Sequence, residues 1–139
     1  MFELDARLAA DTQVLAEWPL CRVLLMNDQR FPWLILVPRI VGLRDFHEVP
    51  IDDKAQFQIE IDRASLSLQA LTKAHKMNVA ALGNMVPQLH VHVVARFDGD
   101  DAWPAPVWGL GKAAPYPGTE AAQFVARFAA IDAKLYPEG

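Results

Sequence analysis

The stretch "PQLHVHVVARF", Pro87 to Phe97, decides how this chain is read. Its valines and leucines are strand-forming, and the bounding Pro87 marks where a strand of about 87–97 begins. Side chains alternate along a strand, so Gln88, His90 and His92 share one face while Leu89, Val91 and Val93 share the other. Neighbours on one face stand about 6.6 Å apart at a rise of about 3.3 Å per residue. One face therefore belongs to a core, and the other sets two imidazoles and a carboxamide in a row.

Three chemistries fit that row. Histidines on a strand can simply face solvent. A His-x-His pair can give a metal two ligands, but zinc generally takes three or four from protein, and His47, His75 and Cys21 stand in no ligand spacing with the pair. We therefore expect no metal site. In the third chemistry one imidazole attacks a bound phosphoryl group that its neighbours hold; neutral histidine is a good nucleophile near pH 7.

Outward from this strand, "GNMVP" reads as a turn: Gly83 allows a tight bend, and Asn84 with the local N–H groups can face a phosphate. "MNVAAL" before it reads as another strand. Further upstream, "IDDKAQFQIEIDRASLSLQALTKAHK" lacks proline and glycine, and Phe57, Ile61, Ala64, Leu68 and Leu71 form an apolar stripe. Asp52 or Asp53 can cap this helix. Ile59, Leu66 and Ala70 make a second apolar edge, which either widens the core face or meets a partner chain. "LCRVLLM" and "WLILVP" read as a β-hairpin around "NDQRFP". Trp33 to Val37 is apolar at every position, as a central strand buried on both faces would be. At the start, Leu4, Leu8, Leu15 and Trp18 fall near helical spacing and predict a short helix that Pro19 stops. Past Phe97 come a Pro-, Gly- and Trp-rich segment and an amphipathic helix of roughly 119–135, carrying Phe124, Phe128 and Ile131.

The chain has 139 residues, enough for one domain (1–139) with a single sizeable core. Its formal net charge of −4 speaks against extended binding to nucleic acid or acidic lipid. A lone cysteine, Cys21, forms no intrachain disulfide and reads as a small buried hydrophobe. No charged-then-apolar leader and no apolar run of membrane-spanning length appear, so we expect a cytoplasmic protein.

The segment "PQLHVHVVARF", together with the order of elements around "LILVPR", resembles the signature of the histidine triad (HIT) superfamily, whose motif runs His-x-His-x-His-x-x with apolar residues at x. The likeness extends over roughly Leu20 to Arg96, and "WPAPVWG" is similar to the tail of a bacterial subgroup. The resemblance implies an α+β, HIT-like fold: an antiparallel sheet of four or five strands with a long helix and a C-terminal helix. It also implies a nucleotide substrate, a homodimer, and hydrolysis or transfer at the α-phosphorus of a dinucleoside polyphosphate or nucleotide ester. By position, His90 is implied to be the nucleophile and His92 to contact the phosphate or assist the leaving group. Asn27 and Asp28, in the first hairpin turn, align with the region that holds ribose hydroxyls, and Asn27 is the candidate taken from the pair. Gln88 stands at the first triad histidine and Trp33 at another position that is often histidine. Gln88 can orient a phosphate but cannot take up a proton. A nucleotide-binding or regulatory module that has lost turnover is therefore the alternative.

The implied mechanism needs His90 Nδ1 to carry the proton and donate it to a fixed acceptor, for which the Gln88 carbonyl is the candidate. No cofactor is required; Mg²⁺ can accompany a polyphosphate. Trp103 and Trp108 could close over a base. Arg39, Arg96, His47 and His75 are expected at the surface.

Overall fold

The computed structural model describes residues 1–138; Gly139, the last residue of the expected domain, lies outside the described residues. Five strands form one antiparallel sheet in the order β1-β2-β3-β5-β4. They are β1 (Thr12–Glu17), β2 (Cys21–Met26), β3 (Trp33–Pro38), β4 (Lys76–Ala80) and β5 (Val91–Arg96). The α-helices among the described residues are α1 (Ala6–Asp11), α2 (Ile51–Thr72) and α3 (Glu120–Leu135), with a single 3-10 turn at Phe46–Glu48.

All six residues of β3 are buried, and the strand lies mid-sheet between β2 and β5, as its unbroken apolar run requires. Alternation divides the core in two. Val23, Leu25, Leu34, Leu36, Val91 and Val93 face α2 and α3, meeting Phe57, Ile61, Ala64, Leu68, Phe124 and Phe128. Leu24, Ile35, Val37 and Val94 face the opposite way, against Leu8 of α1 and Ala102 and Val107 of the segment after β5. His90 and His92 belong to that second side, between β3 and these coverings.

Four expectations are corrected. The N-terminal helix stops at Asp11, and Thr12–Glu17 is an edge strand paired with β2; the register slips between Val14 and Ala16, a bulge that imitates helical spacing. The motif strand begins at Val91 rather than 87, because residues before it turn away to meet the N-terminal segment and the loop after β3. Pro50, not Asp52 or Asp53, is the N-cap of α2, and the two aspartates lie in the first turn, where negative charge suits the helix dipole. Arg96 is 1% exposed: it grips Asp100 through two nitrogens, Asn78 Oδ1 and the Ala105 carbonyl, tying the post-β5 segment to the sheet. Its long apolar stem and planar fork let an arginine fill such a site when every donor is paired. Arg39 is only partly exposed and pairs with Glu17.

Candidate active site

β3 and β5 pair with Ile35 opposite His92 and Trp33 opposite Val94, which sets Trp33 beside His92 on the same sheet face. Above them opens a cavity of about 460 Å³. His90, His92 and Ile35 form its floor, Leu82 to Val86 one rim, Leu8 and Asp11 of α1 a second, and Trp108 to Gly111 a third. Gly83, at the bend of the first rim, has φ +80, a conformation few side chains tolerate.

The two imidazoles are held as opposite tautomers. His90 Nδ1 lies 2.7 Å from the Gln88 carbonyl, an acceptor only, so Nδ1 donates and Nε2 keeps its lone pair. Trp33 Nε1, a donor only, gives its proton to His92 Nδ1 at 3.0 Å, so His92 carries its own proton on Nε2. The rings meet edge to face with centroids 4.9 Å apart. Burial, and then the neighbouring His90, push the pKa of His92 down to about 3, which keeps its ring neutral at physiological pH. Trp108 sets its ring edge-on to both Trp33 (6.1 Å) and His92 (5.3 Å), while its Nε1 is buried with no hydrogen-bond partner among the described residues. The result is an unshared imidazole lone pair beside a neutral N–H donor, with mostly apolar side chains around them. Such a pair can attack a phosphorus and hydrogen-bond its oxygens.

Of the residues singled out in the sequence, His90, His92 and Asn84 come together at this cavity. Gln88 and Asn27 do not line it. Both ends of the Gln88 carboxamide are spent on the N-terminal segment: Oε1 accepts from Asp5 N and Nε2 donates to the Glu3 carbonyl, each at 2.8 Å. Asn27 is exposed, and its Oδ1 accepts from Tyr116 N. Trp103 is not on the lining either, and the Arg96 guanidinium lies over its ring at 5.5 Å. His47 and His75 are exposed, as expected.

Asp28, noted in the sequence with Asn27 in the first hairpin turn, lines the cavity in an ion pair at 2.8 Å with Arg30, which sequence reasoning missed. Burial would raise the Asp28 carboxyl, but the Arg30 guanidinium and the Ala114 and Arg30 N–H groups outweigh it and hold it below the usual carboxylate range. Asn-Asp is also ordinary turn chemistry, and nothing in the local pattern set Arg30 apart. Cys21 is fully buried, and its thiol is pushed up by burial and then by Glu60. Among the described residues no group of three or more His, Cys, Asp or Glu side chains could hold a metal ion, and no helix is long and apolar enough to cross a membrane.

Two histidines of opposite tautomer at the start of β5, under a covered cavity on this sheet, place the chain in a class of known folds. The HIT domain profile matches residues 7–99, and the chain belongs to that family. It is similar over nearly its whole length to three bacterial histidine triad proteins of known crystal structure. The one from Marinobacter aquaeolei VT8 is 47% identical, covering 97% of this chain and 98% of that one, with TM-score 0.92. That from Sinorhizobium meliloti 1021 is 46% identical, covering 93% and 96%, with TM-score 0.91. That from Bradyrhizobium japonicum is 42% identical, covering 93% and 96%, with TM-score 0.90. No curated protein matches the chain.

Proposed function

We propose that the protein hydrolyses or transfers at the α-phosphorus of a nucleotide derivative, through a nucleotidyl group held covalently on His90. The observation that carries this reading is the His90 Nδ1 contact with the Gln88 carbonyl, which frees Nε2 at the floor of the cavity. The apolar lining suits a nucleoside, and Asn84 with the turn around Gly83 suits the phosphate. His92 Nε2–H offsets charge that builds on the phosphoryl oxygens. Mg²⁺ enters only as the companion of a polyphosphate substrate.

Two further parts of the reading are proposals of the same standing. Ile51, Ile59 and Leu66 leave apolar side chains exposed on α2, which supports pairing with a second copy of the chain. The single buried thiol suits a reducing compartment such as the cytoplasm.

Incubation with a labelled dinucleoside polyphosphate tests the activity. Acid-labile covalent label and nucleotide release are expected. His90→Ala should lower turnover by at least about 1,000-fold, as removal of a nucleophile does, whereas His47→Ala keeps it. Binding by the wild type without turnover would instead support the module that has lost its chemistry.

A further inference from the structure

Cleavage through His90 needs an electron pair to leave with the departing group, and the structure constrains how that charge can be quenched. In the first step His90 Nε2 bonds to phosphorus, the bond from phosphorus to the leaving group breaks, and its electron pair departs with that group. The proton stays on His90 Nδ1, donated to the Gln88 carbonyl, throughout. In the second step water bonds to phosphorus, the P–N pair returns to Nε2, and the water proton passes to solvent. Neither step delivers a proton to the leaving group.

Among the described residues no acidic side chain is hydrogen-bonded to His90, whose ring bonds the Gln88 carbonyl. Trp33 occupies His92 Nδ1 with its own proton, so a second proton on that ring would set two donors against each other at 3.0 Å. His92 thus has only its neutral Nε2–H, whose loss would leave an imidazolate in an apolar enclosure. Gln88, at the position where the family usually has a further imidazole, has no titratable proton and spends its amide on Glu3 and Asp5. Of the carboxylates on the cavity, Asp28 is paired with Arg30, and Asp11 sits exposed at the end of α1. A smaller cavity of about 220 Å³ on another side of His90 is bordered by Arg44, Asp45 and His47, all exposed.

We propose, on the nucleotidyl-histidine reading above, that Trp33 and Gln88 make this site a filter for leaving groups. It accepts nucleotidyl anhydrides, whose phosphate or carboxylate departs as a stable anion. It rejects nucleotidyl amides and alkyl esters, whose amine or alkoxide must be protonated as it leaves. Trp33 is a positioning residue in this scheme, acting through His92.

The test uses the full chain and one nucleoside throughout. Probes are the dinucleoside tetraphosphate, the nucleoside 5′-phosphoramidate, and aryl esters of the monophosphate whose phenols grade from strongly to weakly acidic. We expect kcat/KM to fall steadily along the ester series and the phosphoramidate to lie at least about 100-fold below the tetraphosphate, the size of a missing general acid. Trp33→Phe, which frees His92 Nδ1 to take a proton, narrows that gap at acid pH, whereas His47→Gln leaves it unchanged. A flat ester series, a phosphoramidate within about 10-fold of the tetraphosphate, a gap indifferent to Trp33→Phe, or one altered by His47→Gln would overturn the filter. A different result, in which no probe is turned over or labels His90, would remove the nucleotidyl-histidine reading itself and the filter with it.

Discussion

Acidification from pH 7 to pH 5 should destabilise the protein chiefly through His92. Unfolded, this imidazole titrates near its ordinary value of 6.5; folded, it is 6% exposed beside His90 and titrates only near 3. Between those values the unfolded chain binds a proton that the folded chain refuses, so stability falls as pH falls. At about 1.4 kcal/mol per pH unit below 6.5, the loss by pH 5 is about 2 kcal/mol, approaching about 5 kcal/mol near pH 3. Against a typical domain stability of about 5–15 kcal/mol, the loss is large. Two hydrogen-bonded carboxylates act later and add to it. Asp28 and Asp100, the latter held down to about 2 first by the Arg96 guanidinium, stabilise the fold above the ordinary carboxylate range and lose that contribution as pH drops through their folded values. Urea unfolding followed by circular dichroism at pH 7 and pH 5 measures the effect in the wild type and in His92→Gln, whose amide oxygen can still accept from Trp33. The variant should lose about 2 kcal/mol less than the wild type. Equal losses in the two proteins would refute the argument.

Arg96→Leu breaks the ion pair with Asp100 and leaves Asn78 Oδ1 and the Ala105 carbonyl without their donor, while Asp100 keeps three backbone N–H groups, and should cost about 2–4 kcal/mol in the same assay; a change below about 1 kcal/mol would show the cluster to be dispensable. Glu60→Ala removes the acceptor for Leu20 N and Cys21 N at the start of β2, and should cost about 2–4 kcal/mol by leaving two buried donors unpaired. Gln88→Ala releases the N-terminal segment, so hydrogen exchange at Asp5 N should speed up while α2 amides keep their protection. Cys21 should resist an aromatic disulfide reagent in the native protein and react at once in denaturant.

Much of this was legible because it depends on local pattern. The stripe from Phe57 to Leu68 declared α2, and the unbroken run from Trp33 to Val37 declared a strand buried on both faces. His90 and His92 could be put on one face because strand alternation needs no tertiary information. What escaped notice depends on contacts far apart in sequence. Thr12–Glu17 lies on an edge whose bulged pairing with β2 overrides its helical spacing. Gln88 looked like a phosphate ligand until its partners, 83 and 85 residues away, were known. Arg96 could be read as buried only from the four acceptors that the fold gathers around it. Trp33, noticed as a replaced histidine, took on a role only when pairing of β3 with β5 set its indole against His92.

Long-range ¹⁵N–¹H correlation NMR of the histidine rings at neutral pH bears most directly on the chemistry. The arrangement at the cavity floor predicts a protonated Nδ1 with bare Nε2 for His90, and the reverse for His92. A proton found on His90 Nε2, or two rings that each average over both tautomers, would contradict the account.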